Sequence, residues 1–259
     1  MGKTGFLLSI FLLSILGGYA QKGKEMIFGL GGALTNVWIV NQNFYGEPEV
    51  DYAPKIGYGF NATIGYAFTE QIAAVTEIQY SRQGQKYEGR QAFTDPNTGI
   101  TYNFTKVERD INLNYLNIPL FFKYTFGAGG TRFRFLAGPQ LGLLMSAKQT
   151  YERDGEVIGT ELENKDGETF VSDVEEIDDR YESTDFGVAL DVGADIYLSK
   201  QFFVGAGARI NYGFTDINAP AYQLPAPSEP YEPSHNLFGG LYVSINYLLD
   251  VEGYKQRSF

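Results

Sequence analysis

The chain has 259 residues, no cysteine, 20 phenylalanines, 19 tyrosines and a formal net charge of −11. Without cysteine it can form no disulfide, thiolate metal site or lipid anchor on an N-terminal cysteine. The acidic balance argues against nucleic acid as a partner, and the aromatic excess is typical of membrane barrels, which carry aromatic girdles at both interfaces.

The first twenty residues have the pattern of a secretory signal peptide. Lys3 gives a positive start, a short apolar core follows, and Gly18 and Ala20 supply the small residues of a cleavage site. The apolar core is shorter than the ~20 residues that a spanning helix needs. We therefore predict that residues 1–20 are an export signal and that residues 21–259 form one β-barrel domain.

The rest of the sequence alternates with period two between bulky apolar residues and small or polar ones. In Ile56–Phe68, the even positions carry Ile, Tyr, Phe or Ala, and the odd positions carry Gly, Asn, Thr or Ala. A period of two places the two sets on opposite faces of a strand. The pattern predicts eight strands: Met26–Val40, Ile56–Phe68, Gln71–Ser81, Asn112–Phe126, Thr131–Lys148, Thr184–Leu198, Phe202–Phe214 and Asn236–Leu248.

The connections between these strands alternate in length. Tight turns join strands two and three, four and five, and six and seven, whereas long polar segments form the other four connections. Bacterial outer-membrane barrels have this asymmetry, with an even number of strands and both termini on the short-turn side. Each predicted strand also reaches the ~9–11 residues needed to cross a bilayer at a tilt of ~45°.

The placement of charge separates a membrane barrel from a soluble one. A soluble lipocalin-like barrel lines its interior with bulky apolar residues, whereas here the bulky face carries almost no charge and the small face carries several. We predict an eight-stranded antiparallel transmembrane β-barrel of the outer-membrane type. Ile64, Phe122, Leu190 and Val243 should contact lipid, and a soluble ligand binder is the alternative.

Six charged residues fall on the face that points into the lumen of the predicted barrel. They are Glu77, Lys123, Arg134, Asp191, Asp195 and Arg209. Eight strands leave an interior just wide enough for side chains, and buried charges need partners. We expect a structural ion-pair network that plugs the lumen, with a polar path or a proton or ion site as the alternative.

Two of the long connections have an unusual composition. Tyr151–Glu182 contains 13 acidic residues against three basic ones, which predicts a solvated external loop. Carboxylates in this number could gather a divalent cation, although the spacing is not that of an EF-hand. Thr215–His235 holds five of the ten prolines, which predicts a stiff exposed loop, with an extended edge presented to a protein partner as the alternative.

No motif in the chain indicates catalysis. His235 is the only histidine, and its neighbour Ser234 is badly placed to serve as its nucleophile, because adjacent residues rarely form that geometry. The sequence also has no phosphate loop, nucleophile elbow or metal-ligand spacing. We therefore expect no catalytic residue, no cofactor and no metal site, and we treat an outer-membrane enzyme as a minor alternative.

One pair of strands resembles a known family. The motif runs Tyr115-Leu116-Asn117-Ile118-Pro119-Leu120, continues with Lys123-Tyr124, and ends with Gly138-Pro139 on the next strand. It is similar to the PorT-type outer-membrane β-barrel proteins of the Bacteroidetes, in which this pattern recurs. Because proline removes a ladder donor, we also expect a bulge or pairing defect near Ile118–Leu120.

The resemblance implies the fold and an outer-membrane location, and one named member of that family belongs to a secretion and gliding apparatus. The expected function is therefore that of a non-catalytic outer-membrane barrel with a structural, accessory or interaction role through its long external loops. Outer-membrane lipid and an envelope protein are the expected partners. A narrow pore or transport-associated barrel is the alternative.

Overall fold

The computed structural model describes residues 24–40, 50–95, 97–163, 169–223 and 230–251. The predicted export signal, 1–20, lies outside these ranges. Within them, no helix combines the length and the apolar character needed to cross a membrane.

Eight long strands form the body of the molecule. They are β1 (Glu25–Val40), β2 (Lys55–Ala67), β3 (Ile72–Thr94), β4 (Thr101–Phe126), β5 (Thr131–Arg153), β6 (Thr184–Tyr197), β7 (Phe202–Gly213) and β8 (His235–Asp250). The described connections add short strands at Val50–Ala53, Glu156–Val157, Thr160–Glu163, Thr169–Ser172 and Glu175–Glu176, and 3-10 turns at Asp178–Arg180 and Pro220–Tyr222.

The eight strands close into a ring. Each pairs antiparallel with the next, and β8 returns to β1 along its whole length, from Glu25 opposite Asp250 to Val40 opposite His235. Closure satisfies the backbone donors and acceptors that an open edge would leave unpaired in lipid. The predicted fold class, an eight-stranded antiparallel barrel, is confirmed.

The outer surface is a band of apolar side chains. Along β2 the even positions from Ile56 to Ile64 are exposed, and most of the odd positions are buried, as the period of two predicts. Leu30 on β1 and Leu241 on β8 each expose 71% of their surface. In water such exposure would be unfavourable, whereas in a bilayer these side chains contact lipid.

Paired aromatic rings mark both ends of this band. At the short-turn end, Tyr66 meets Phe68 with ring centroids 5.2 Å apart, and Phe202 meets Tyr247 at 5.1 Å. At the opposite end, Tyr212 meets Phe214 at 5.6 Å, and Tyr58 and Tyr80 lie 6.3 Å apart. Aromatic side chains with a polar tip are enriched at the two membrane–water interfaces, so the pairs define the limits of the spanning region.

Cysteine labelling tests the outward face. The four predicted lipid contacts, Ile64, Phe122, Leu190 and Val243, are all exposed on the outer surface. Changed singly to cysteine in a chain that has none, they are expected to resist a membrane-impermeant thiol reagent in vesicles. Glu88→Cys, above the apolar band, should react readily and serves as the control. Rapid labelling of the four sites would place them in water.

Strands β3, β4 and β5 continue far beyond the apolar band. The long polar loop predicted between the third and fourth strands is wrong: Arg82 to Thr94 and Thr101 to Asn114 form an antiparallel hairpin that extends the barrel wall. Its outward side is held by cross-strand ion pairs, with Lys86 2.8 Å from both Glu88 and Glu108. Hydrogen bonds from Lys106 and Lys86 hold the pKa of Glu108 below its usual range.

Pro119 interrupts the ladder on both of its sides. Pairing with β3 is missing between Leu120 and Asn117, and pairing with β5 is missing between Pro119 and Phe122. The register is unchanged across both gaps, so the expected pairing defect is present without a bulge. Thr76 Oγ1 donates to the Pro119 carbonyl at 2.9 Å and replaces part of the lost ladder.

Candidate functional site: the lumen and its cap

The middle of the lumen contains one continuous chain of ion pairs. The Arg209 guanidinium donates to both oxygens of Glu77, at 2.7 and 3.0 Å, and through Nε to Asp191 at 3.2 Å. Asp191 also accepts from Arg134 Nε at 3.2 Å. Arg134 then reaches Asp195 at 3.0 Å, and Asp195 accepts from Lys123 Nζ at 2.5 Å.

The structure thus brings together all six charged residues that were predicted to form the lumen network. Three are positive and three negative, so the group is neutral, and none exposes more than 6% of its surface. Desolvating so many charges is expensive unless each is paired and hydrogen-bonded. Positive and negative side chains alternate along the network, so every carboxylate in it has a cationic partner.

Aromatic and small residues hold the network in place. The Arg209 guanidinium lies 4.0 Å from the Tyr242 ring centroid and 4.8 Å from that of Phe121, and the Tyr242 hydroxyl donates to Glu77 at 3.2 Å. Gly205 faces Arg134 so closely that a Cβ there would lie 2.0 Å from Nη1. The cation–π contacts between Arg209 and the two rings are strengthened because these groups are buried away from water.

Tyr242 contacts the ion-pair network but was not among the residues predicted from the sequence. It lies on β8 with the same parity as the inward-facing Ser244 and Asn246, so the alternation contained the signal. A tyrosine on the polar face of a barrel strand is a candidate partner for a buried charge, because its hydroxyl can donate while its ring packs.

Apolar clusters lie on both sides of the network. The cluster towards the short turns contains Ile27, Ala67, Ala73, Val75, Phe121, Leu136, Ala189, Tyr197, Phe203 and Leu248. The outer cluster contains Ile39, Tyr87, Ile111, Leu113, Tyr115, Ala147, Ile177, Tyr181 and Ile217. Beside the network the structure has a cavity of about 20 Å³, room for about one water molecule.

Two external connections form a cap over the outer end of the lumen. Ile177 comes from the β5–β6 connection and Ile217 from the β7–β8 connection, and both are fully buried. Their backbones are joined, since Glu182 N donates to Ile217 O at 2.8 Å and Ala219 N donates to Arg180 O at 2.9 Å. We call residues 174–182 and 215–219 the cap.

The cap corrects the expectation that Tyr151–Glu182 is a solvated loop. Its last part packs inward because Ile177 fills the outer cluster, and three of its carboxylates are hydrogen-bonded to β5, to the β7–β8 connection or within the cap. Asp178 accepts from Ala147 N at 2.5 Å, Asp179 from the Tyr222 hydroxyl at 2.6 Å, and Glu175 from Arg180. Within the described ranges, no three acidic or histidine side chains are grouped to hold a metal ion.

The serine–histidine pair takes part in the cap's hydrogen bonding. Ser234 Oγ accepts from Asn218 Nδ2 at 2.9 Å, and His235 Nδ1 lies 3.1 Å from Thr215 O. Nearby, burial and a hydrogen bond to Asp216 raise the pKa of Tyr231 to about 12. These contacts fasten the proline-rich connection to the barrel rim.

The motif strand β4 joins the two layers of the lumen. Tyr115 lies in the outer cluster and Lys123 ends the ion-pair chain. Gly138 on β5 faces the pairing gap at Pro119, and a Cβ there would lie 1.9 Å from Leu120 O. The remaining motif side chains Leu116, Ile118, Leu120, Tyr124 and Pro139 lie on partly or fully exposed positions.

A closed eight-stranded ring with an apolar outer band, two aromatic girdles and a filled interior defines a transmembrane β-barrel protein. The family model described as outer membrane protein beta-barrel domain matches residues 19–219, and the chain belongs to this family. Its place is accordingly the outer membrane.

Three solved structures are among those similar to this chain. Neisserial surface protein A is 13% identical, with 86% of this chain and 96% of that one covered and a TM-score of 0.41. OprG from Pseudomonas aeruginosa is 10% identical, with 90% and 98% covered and a TM-score of 0.41. Ail from Yersinia pestis is 11% identical, with 88% and 100% covered and a TM-score of 0.37. None of the curated proteins compared with the chain matches it.

Proposed function

We propose that this protein is a non-catalytic, non-conducting outer-membrane barrel that acts through the ordered structure above its apolar band. The observation that carries the proposal is the obstruction of the lumen. Six paired charges fill its middle, and apolar side chains fill both sides of that layer.

The same obstruction argues against transport. A solute crossing the barrel would have to displace Ile177 and Ile217 and then separate Arg209 from Glu77. Breaking a buried ion pair costs about 3–5 kcal/mol, and the lumen network contains several such pairs along the path of a solute. Solutes would therefore cross rarely at rest.

The part above the apolar band supports an interaction role. The extension of β3, β4 and β5 and the cap are ordered by backbone pairing and ion pairs, and a rigid scaffold is what positions interaction residues on loops. The motif similarity to PorT-type barrels favours an accessory role in envelope assembly or secretion.

A planar-bilayer recording tests the closed lumen. The refolded full-length protein is expected to give no steady single-channel steps at moderate voltage, under conditions in which a porin of known conductance inserted in the same bilayer does. Steady open-channel conductance of the intact protein would make the narrow pore the leading function.

Crosslinking in outer membranes tests the interaction role. One variant shortens the β3–β4 hairpin at the paired positions Gly89 and Val107, and a matched variant removes residues 160–172, which include the paired strands Thr160–Glu163 and Thr169–Ser172 of the β5–β6 connection. A crosslinked partner that is lost in either variant supports the proposal. Absence of any crosslinked envelope protein contradicts it.

A further inference from the structure

Arg82 is the first charged side chain above the apolar band on the outward side of β3. It follows Tyr80 on the same face and lies directly opposite Tyr58 on β2, so it stands at the height of the outer aromatic girdle. Its side chain is half-buried, while the inward-facing Ser81 and Gln83 on either side are buried.

The guanidinium is held in a fixed position. Nε donates to Asn112 Oδ1 at 2.8 Å, and Cζ lies 5.9 Å from the Tyr58 ring centroid. These contacts use one of the five donors of an arginine. The two terminal nitrogens are therefore available for an acceptor outside the barrel wall.

The nearest carboxylates on this surface already have other cations. Asp110 is bound by Lys55, and Glu88 and Glu108 are bound by Lys86 at 2.8 Å each. Among the described residues, Arg82 makes no ion pair within 4.0 Å. Its positive charge therefore has no counter-ion among the described residues, and it lies at the boundary between lipid and water.

Asn112 adds a second donor beside Arg82. Its Oδ1 accepts from both Arg82 Nε and Lys55 Nζ, each at 2.8 Å, which orients the amide so that the Nδ2 group points away from these cations. A guanidinium and an amide N–H₂ side by side suit a tetrahedral oxyanion, because arginine binds phosphate through two parallel hydrogen bonds.

We propose that Arg82, with Asn112 and Tyr58, binds the phosphate group of an outer-leaflet lipid. The lipid would place its phosphate against the terminal nitrogens of Arg82 and its acyl chains along the apolar band below. The occupant is a membrane lipid because the site lies at the girdle, where lipid headgroups and interfacial tyrosines meet.

Native mass spectrometry of the folded full-length protein in detergent tests the site. Wild type is expected to retain diphosphorylated lipid A about tenfold more strongly than fully dephosphorylated lipid A, since the difference is one charge-assisted contact. Arg82→Gln should lose about the same factor for the phosphorylated lipid. Arg90→Gln is the matched control, because Arg90 lies on the same face of β3 but beyond the membrane.

Each result decides the proposal. Loss in Arg82→Gln with retention in Arg90→Gln supports it, and equal loss in both variants shows non-specific charge and overturns it. Equal retention of the two lipids by wild type overturns it without any variant. Displacement of the lipid by millimolar inorganic phosphate would indicate a free-anion site and would overturn the assignment to lipid.

Discussion

Replacing Arg209 with glutamine is expected to lower the free energy of unfolding by about 3–5 kcal/mol, the usual cost of leaving a buried partner charge uncompensated. Glu77 would lose both of its hydrogen bonds to the guanidinium, and Asp191 would keep only Arg134. Urea titration of the barrel in lipid vesicles, followed by tryptophan fluorescence and by heat-modifiable gel migration, measures the change.

The double variant Glu77→Gln/Arg209→Gln is the control for this prediction. It removes one charge of each sign and leaves the remaining four residues neutral, so most of the lost stability should return. Two glutamines in place of the pair can also hydrogen-bond to one another. An unfolding midpoint of Arg209→Gln equal to that of wild type would mean that water or a rearranged side chain compensates Glu77.

Replacing Ile177 with alanine is expected to loosen the cap. Removing a fully buried isoleucine costs about 2–5 kcal/mol when the site cannot collapse, and Ile177 packs between strand residues of the outer cluster. If the substitution lowers the free energy needed to open the cap by only about 2 kcal/mol, the rate of limited proteolysis in the β5–β6 connection should rise by about 30-fold. The barrel itself should still fold.

The control for Ile177→Ala is a substitution at Val174, three residues earlier in the chain. Val174 belongs to the same connection but is exposed, so Val174→Ala should leave the cleavage rate nearly unchanged. The same reasoning predicts different effects for two deletions. Removing Asp154–Asp179 takes away Ile177 and Asp178 and should disturb the cap, whereas removing residues 160–172 should leave the cap intact. Equal cleavage of Ile177→Ala and Val174→Ala would show that the cap is not held by burial.

The barrel was predictable because lipid and lumen make opposite demands on neighbouring residues. Along β2 and β6 most outward positions are bulky and apolar and most inward positions are small or polar, so the period of two is visible without any structure. The same parity identified Asp191 and Asp195 as lumen residues. Their partners along the chain of ion pairs depend on strand register, which the alternation alone does not fix.

The extension of β3 and β4 was not predictable in this way. Above the apolar band the outward face of the strands is polar, with Lys86 and Glu88 on β3, and the inward face mixes polar residues such as Gln83 and Gln85 with buried apolar ones such as Ile111. Without an apolar outward face the segment resembles a loop in sequence, although cross-strand pairs such as Lys86 with Glu108 stabilise it as a ladder. The cap escaped prediction because a few buried residues, Ile177 among them, lie in a strongly acidic segment.

The length of β4 has a consequence for distance. At ~3.3 Å per residue, its 26 residues extend over roughly 85 Å, whereas ~9–11 residues suffice to cross the bilayer. The β3–β4 turn is therefore carried tens of ångströms above the lipid headgroups on a paired ladder that cannot be shortened by side-chain motion. A partner that binds the turn at Asp95–Thr101 is therefore held at a fixed distance from the membrane surface, and this distance is set by the length and tilt of the strands.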